Sequence, residues 1–239
     1  MSKHGIQAVF SDRLGGVSQG DFSSLNLGLD LGDETQLVHQ NLDLLCQSSG
    51  LPKPHQCQQV HGTSVLYCAG DGLLHQQEAD ILITQERNTA LAIRTADCLP
   101  VLLADKQAGI FAAVHAGWRG TVVKVVAKSV DAMCEKGANA EHIVASLGPC
   151  IGSCCFEVNQ EIGQQLSACC GENITQDIDD KVFADLMRAN VLQLQEVGLL
   201  AEHIECANVC TFCSTEPEYF SYRRDCGKTG RQLAIIYTA

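Results

Sequence analysis

The sequence predicts an α/β (α+β) fold in which mixed β-sheets are sandwiched by helices, as one domain over residues 1–239. Three observations predict it. Short apolar, partly β-branched runs recur between Gly, Asp or Asn punctuation. Four stretches carry helical periodicity. The two kinds of segment interleave without strict βαβ alternation, which argues against a simple doubly wound sheet.

The strand-like runs are residues 6–11, 64–68, 80–84, 90–94, 99–104, 110–115, 143–147 and 233–237. A first helix is expected over 35–48, where Leu37, Val38, Leu42 and Leu45 fall at helical spacing before Gly50-Leu51-Pro52. A second is expected over 121–136, from Val122, Val125, Val126, Val130 and Met133, with Gly137 as its cap. Residues 159–170 and 180–197 give two more, the latter closed by Gly198.

Composition narrows the function. With 46% hydrophobic residues, 239 residues suffice for a buried core. A formal net charge of −12 argues against nucleic acid or an anionic membrane as partner, but not against a small anion held by a few local arginines. The opening Met1-Ser2-Lys3-His4-Gly5 lacks the apolar stretch of a signal peptide, and no apolar run reaches the roughly 20 residues that span a bilayer. The fourteen cysteines therefore read as mostly free thiols of a cytoplasmic protein, many of them serving as small core hydrophobes.

The most informative stretch runs from Ala96-Asp97-Cys98-Leu99-Pro100 to Ala113-Val114-His115. Two apolar runs flank a polar segment ending in Gly109, which is a hairpin signal. A turn centred on Lys106-Gln107 makes Cys98 face His115; a centre on Gln107 slips the register by one residue. Facing Cβ atoms lie about 4.5–5.5 Å apart, suiting two ligands of one metal, a thiolate–imidazole pair, or simply a buried Cys beside a structural His. After His115 the chain reads Ala116-Gly117-Trp118-Arg119-Gly120-Thr121 and enters the second helix. Such a turn is either an anion site built on free N–H groups, with Arg119 adding charge, or only a tight turn.

A catalytic zinc keeps three protein ligands and one open position. Among the remaining histidines, His61 in Gln59-Val60-His61-Gly62 is the best placed, at an expected strand end or turn, whereas His39 lies within a helix and His4, His55, His75, His142 and His203 in polar or terminal surroundings. Cys210-Thr211-Phe212-Cys213 has the spacing of a redox pair or half a zinc knuckle, but no second such motif accompanies it, so it reads as structural. Cys154-Cys155 and Cys169-Cys170 suggest no ligand geometry. Arg13 beside Gly15-Gly16, Asn26 in Ser24-Leu25-Asn26-Leu27-Gly28, and the basic Tyr222-Arg223-Arg224 and Thr229-Gly230-Arg231 segments are candidates for binding an anionic substrate, or else solvated surface.

In order along the chain, Arg13-Leu14-Gly15-Gly16-Val17-Ser18, Gln59-Val60-His61-Gly62, Thr95-Ala96-Asp97-Cys98-Leu99-Pro100, Val114-His115-Ala116-Gly117-Trp118-Arg119-Gly120-Thr121, Gly148-Pro149-Cys150-Ile151-Gly152, and Phe220-Ser221-Tyr222-Arg223-Arg224 with Thr229-Gly230-Arg231 resemble the YfiH family of laccase-domain or multicopper polyphenol oxidoreductase-type proteins, reassigned as purine nucleoside phosphorylases. The resemblance covers about residues 9 to 236. It implies zinc held by His61, Cys98 and His115. It implies phosphorolysis of adenosine, inosine, guanosine and methylthioadenosine, adenosine deamination, and a link to editing of peptidoglycan precursors.

On this reading His61, Cys98, His115 and Asp97 are the catalytic candidates, Asp97 orienting a ligand or moving a proton. Arg13, Asn26, Arg119 and Thr121 are the candidates for substrate and phosphate. The partners are nucleosides and phosphate, in a monomer or homodimer. One His₂Cys set cannot assemble the several copper centres of a laccase, although such a trio can take copper in vitro. The competing enzyme reading makes Cys98 a nucleophile and His115 its base in a metal-free amide hydrolase. A zinc-stabilised binding protein without turnover is the non-enzymatic one.

Overall fold

A computed structural model describes residues 6–238. His4 lies outside the described residues. A six-stranded mixed sheet forms the centre, in the order β13 (Ile204–Cys206), β9 (Val144–Leu147), β7 (Leu99–Asp105), β8 (Ile110–Ala116), β5 (Ile81–Thr84), β3 (Val65–Tyr67). Its two outer pairs are parallel and its inner pairs antiparallel. An antiparallel sheet of β1 (Gln7–Phe10), β14 (Gln232–Thr238) and β6 (Thr89–Thr95) lies against one face.

Strand alternation sorts the core into layers. Leu99, Val101, Leu103, Ile110, Ala112 and Val114 pack on helices α3 (Val125–Glu135), α4 (Gln160–Cys170) and α5 (Leu186–Glu196). The alternate residues Leu102, Ala104, Phe111 and Ala113 pack on Leu91, Ile93, Ala234 and Ile236 of the smaller sheet. That sheet's other face carries Ala90, Ala92, Leu233 and Ile235 against Leu45 of α1 (Thr35–Ser49). The result is helix, sheet, sheet, helix, as expected of sheets sandwiched by helices. Among the described residues no helix is long and apolar enough to cross a membrane, and all fourteen cysteines are unpaired.

All eight anticipated strands form, but two helices depart from expectation. The segment 121–136 is broken into α2 (Trp118–Val122) and α3, because Lys124 adopts a left-handed conformation at φ 59°. In segment 180–197 the first residues form strand β12 (Lys181–Ala184), paired with β10 (Glu157–Val158) and β11 (Thr175–Ile178) in a small outer sheet. Helix α5 begins only after Asp185, whose carboxylate accepts the Arg188 N–H. The remaining pair, β2 (Gln56–Gln58) and β4 (Leu74–Glu78), is short and rich in Gln, so it lacks an apolar signature.

The β7–β8 register differs from expectation by two residues. Asp105 pairs with Ile110, leaving a four-residue loop, and Pro100 faces His115. The Asp105 carboxylate accepts the N–H groups of Gln107 and Ala108, while Gly109 closes the loop at φ 69°. A shift by two preserves side-chain parity, so Cys98, just before β7, remains a diagonal neighbour of His115.

Candidate metal centre and active-site cleft

His115 stands one residue before the end of β8, on the same face as Phe111 and Ala113. Cys98 precedes β7, and His61 stands in the loop between β2 and β3 at φ 61°. Their three ligand atoms lie within 4.8 Å of one another, and the two imidazoles meet edge to face at 4.7 Å. His115 is buried and Cys98 half-buried.

The residue that organises this trio is Asp80, a carboxylate with no exposed surface at the start of β5. Its Oδ1 lies 2.7 Å from His115 Nδ1 and accepts the His61 N–H at 3.0 Å. Its Oδ2 accepts the N–H groups of Gly62 at 2.6 Å and Val60 at 3.3 Å. One carboxylate thus fixes the His61 loop and orients the His115 ring, leaving His115 Nε2 for a ligand role. Burial alone would raise the Asp80 carboxyl, but its hydrogen bond and charge contact with His115, with the N–H donors, hold it below its ordinary range. Sequence reading passed over Asp80 as a strand boundary. Its signal was an acid directly before Ile81-Leu82-Ile83, a position where a buried charge needs partners.

Asp97, expected to orient a ligand or move a proton, lines the cleft beside Cys98. Its Oδ1 accepts the Thr211 hydroxyl at 2.7 Å and its Oδ2 the Arg223 N–H at 2.7 Å, so its carboxylate joins two loops. Held at φ 89°, Asp97 turns the chain into β7.

Without metal, Cys98 and His115 form a charge pair. Burial pushes the Cys98 thiol up, but the His115 cation and hydrogen bonds from His115 and His61 outweigh it and bring it down to about 6. Burial opposes the His115 cation, yet the Cys98 thiolate and Asp80 raise it to about 9. In protein stripped of metal, alkylation of Cys98 by iodoacetamide is therefore expected to be half-maximal near pH 6, since only the thiolate attacks. His115→Ala removes the stabilising cation and moves that midpoint upward. A midpoint near the ordinary 9.0 in the unsubstituted protein would refute the pairing.

The donor set fits a metal. Two imidazoles and a thiolate with a buried carboxylate behind one imidazole match a zinc site with an open position. The backbone makes room for it: a Cβ on Gly117 would stand 2.6 Å from His61 Nδ1 and 3.0 Å from Cys98 Sγ.

The trio opens into a cleft of about 650 Å³, within the range of small-molecule sites. Its walls carry Arg94, Arg119, Arg223 and Arg231, a positive lining in an acidic chain. Three of these guanidinium groups lie over aromatic rings: Arg119 over Trp118 at 4.4 Å, Arg223 over Phe156 at 5.7 Å, and Arg231 over Tyr222 at 5.8 Å. Of the anticipated substrate residues, Arg119 lines this cleft together with Tyr222, Arg223 and Arg231 of the basic segments, whereas Arg13, Asn26 and Thr121 do not. Arg13 is engaged elsewhere, donating to Glu218 and the Ser23 carbonyl. Asn26 is fully buried, and its Oδ1 accepts the N–H groups of Gly28 and Arg231, so it shapes the cleft from behind. Thr121 is also fully buried; its hydroxyl accepts from Asn190 and its N–H is spent on the Gly117 carbonyl. Arg94 and Gln59, not among the site residues expected from the sequence, meet at the cleft edge: the Gln59 side-chain amide donates to the Arg94 carbonyl and accepts the Arg94 N–H.

Comparison with known proteins agrees with the geometry. A family model described as multi-copper polyphenol oxidoreductase laccase matches residues 7–239. An Escherichia coli K12 protein named purine nucleoside phosphorylase YfiH is 37% identical over 236 residues, covering 98% of this chain and 94% of that protein. A Deinococcus radiodurans purine nucleoside phosphorylase is 37% identical over 233 residues, covering 97% and 88%. The crystal structure of YlmD from Geobacillus stearothermophilus matches with a TM-score of 0.89 at 31% identity, covering 98% of this chain and 92% of that one. Neisseria meningitidis NMB0706 gives 0.83 at 33% identity, covering 98% and 94%. With this fold and these relatives, the chain belongs to the YfiH-type laccase-domain family.

Proposed function

We propose that this protein is a zinc-dependent purine nucleoside phosphorylase acting on adenosine, inosine, guanosine and methylthioadenosine, with adenosine deaminase activity. One observation carries the reading: the His61–Cys98–His115 trio opens onto a cleft that offers both guanidinium groups and aromatic rings. Relatives that cover nearly the whole chain and are named purine nucleoside phosphorylases support it.

The substrates need both kinds of surface. A purine stacks on an aromatic face such as Trp118 or Tyr222. Phosphate takes paired N–H donors, which Arg119, Arg223 and Arg231 supply. In phosphorolysis a phosphate oxygen bonds to the ribose anomeric carbon while the bond to the purine nitrogen breaks, and the departing base takes up a proton. Holding both reactants in one cleft supplies the proximity that this displacement requires. His61, Cys98 and His115 would hold zinc, which when bound supplies Lewis-acid chemistry. Asp80 keeps the His115 proton on Nδ1 and the opposite nitrogen available.

Product analysis with adenosine and phosphate tests this directly. Adenine and ribose 1-phosphate report phosphorolysis, and inosine reports deamination. If the zinc-loaded protein forms neither, the reading is wrong. The second reading, a Cys98–His115 amide hydrolase, is favoured by the lowered thiol, the raised imidazole and the Asp80 hydrogen bond. Activity that survives chelation but is blocked by thiol alkylation would select it.

A further inference from the structure

The structure brings together two cysteine motifs that are 55 residues or more apart in sequence. Cys154-Cys155 follow the Pro149-Cys150-Ile151-Gly152 turn, and Cys210 and Cys213 belong to the Cys-Thr-Phe-Cys loop after β13. All four Sγ atoms lie within 4.8 Å of one another. The Cys-Thr-Phe-Cys motif therefore has a partner pair, which sequence reading did not foresee because adjacent cysteines carry no ligand spacing of their own.

We propose that Cys154, Cys155, Cys210 and Cys213 bind a second metal ion, a single zinc held by four thiolates, separate from the His61–Cys98–His115 site.

Geometry supports one ion. Tetrahedral zinc with Zn–S bonds near 2.3 Å places its sulfurs about 3.8 Å apart. Cys154 and Cys213 stand at 3.7 Å. An iron–sulfur cluster spreads its cysteines around several iron atoms and needs wider spacing than this knot of thiols offers. Four sulfur donors select zinc over hard cations such as magnesium or calcium.

The backbone is arranged for thiolates as well. The Gly152 N–H donates to Cys210 Sγ at 3.2 Å, and the Phe212 and Cys213 N–H groups add to it. Gly152 leaves room for this approach: a Cβ there would crowd the thiols, 3.2 Å from Cys210 Cβ and 3.3 Å from Cys154 Sγ. On binding, each thiol releases its proton and becomes a ligand.

The position gives the ion a purpose. Backbone hydrogen bonds already join the two loops: the Cys150 N–H donates to the Val209 carbonyl and the Thr211 N–H to the Cys150 carbonyl. Ile151 and Phe156 line the active-site cleft on one side of the cysteines, and Thr211 holds Asp97 next to Cys98 on the other. A metal at the four cysteines would tie the wall of the cleft to the loop that aims a catalytic ligand.

Metal analysis and cobalt substitution test this in the full chain, purified reduced and without added metal. The Cys98→Ala/His115→Ala protein is expected to retain one zinc per chain. Its cobalt-substituted form is expected to show strong thiolate-to-cobalt charge-transfer absorption with tetrahedral d–d bands. Cys210→Ser/Cys213→Ser should lose that ion and that spectrum. Because the same absorption is read on protein with all four cysteines intact, the test holds even if the Cys210→Ser/Cys213→Ser variant does not fold. No zinc and no tetrathiolate spectrum in the Cys98→Ala/His115→Ala protein would overturn the proposal. So would intact mass showing these four cysteines as disulfides. Neither outcome depends on whether the protein is a phosphorylase.

Discussion

If His61, Cys98 and His115 hold zinc as proposed, Cys98→Ala is expected to lose that ion and to reduce the proposed adenosine phosphorolysis about a thousandfold, equivalent to roughly 4 kcal/mol at the transition state. It is the cleanest of the three ligand substitutions. His115→Ala also strips Asp80 of its 2.7 Å partner, leaving a buried carboxylate acceptor short of a donor, which costs about 1–3 kcal/mol of stability in its own right. Cys98→Ala leaves the Asp80 network whole, because no hydrogen bond runs from Asp80 to Cys98. It removes only a small half-buried side chain. Its circular dichroism and melting should therefore stay close to those of the unsubstituted protein while metal and turnover fall. Full phosphorolysis in a folded Cys98→Ala protein would eliminate Cys98 both as a required metal ligand and as a nucleophile.

How far the sequence reveals this site depends on whether its parts are local. Cys98 and His115 belong to one hairpin, and the alternation of apolar residues puts them on one face whether the register sum is as first expected or shifted by two. His61 reaches the site from a loop between two strands of different sheets, so spacing alone does not bring it there. Asp80 acts through a fold-level coincidence: β5 pairs with β8, so the residue before β5 meets the end of β8, and the His115 N–H donates to the Asp80 carbonyl. The arginines show the same division. Arg119 follows His115 by four residues and is visible as its neighbour, whereas Arg94 comes from β6 in the other sheet and enters only when the two sheets are stacked.

The helices that departed from expectation have a common physical origin. Periodicity reports which residues are apolar but not where a chain must turn. Val122, Val125 and Val126 fit one helix, yet the left-handed Lys124 breaks it so that α2 and α3 each cover the core. Likewise Val182 and Ala184 are buried on strand β12, and the capping Asp185 that starts the true helix lies inside the segment read as helical.

Gly117→Ala tests the placement of His61, whose expected role as a ligand rests on resemblance more than that of Cys98 or His115. Gly117 has φ −73° and ψ 169°, a conformation any residue adopts, so the glycine is there for space and not for backbone freedom. By chain entropy alone, alanine at such a position would stabilise the fold by about 0.4–1 kcal/mol. The added methyl, however, would stand 2.6 Å from His61 Nδ1, 3.2 Å from His61 Cε1 and 3.0 Å from Cys98 Sγ. Two of the three ligands must then move, while Asp80 holds the backbone of the His61 loop and limits how far that imidazole can retreat. The expected result is a folded protein of near-normal stability whose zinc affinity falls by about 100-fold or more, at or beyond what loss of a single supporting hydrogen bond costs. Gly120→Ala is the control: its methyl would meet Val125 Cγ1 at 3.3 Å and the His115 carbonyl at 3.5 Å, away from the ligand atoms, so zinc should be retained. Zinc held by Gly117→Ala as tightly as by the unsubstituted protein would mean that His61 does not coordinate from the position it occupies, and the site would have to be rebuilt around Cys98 and His115 alone.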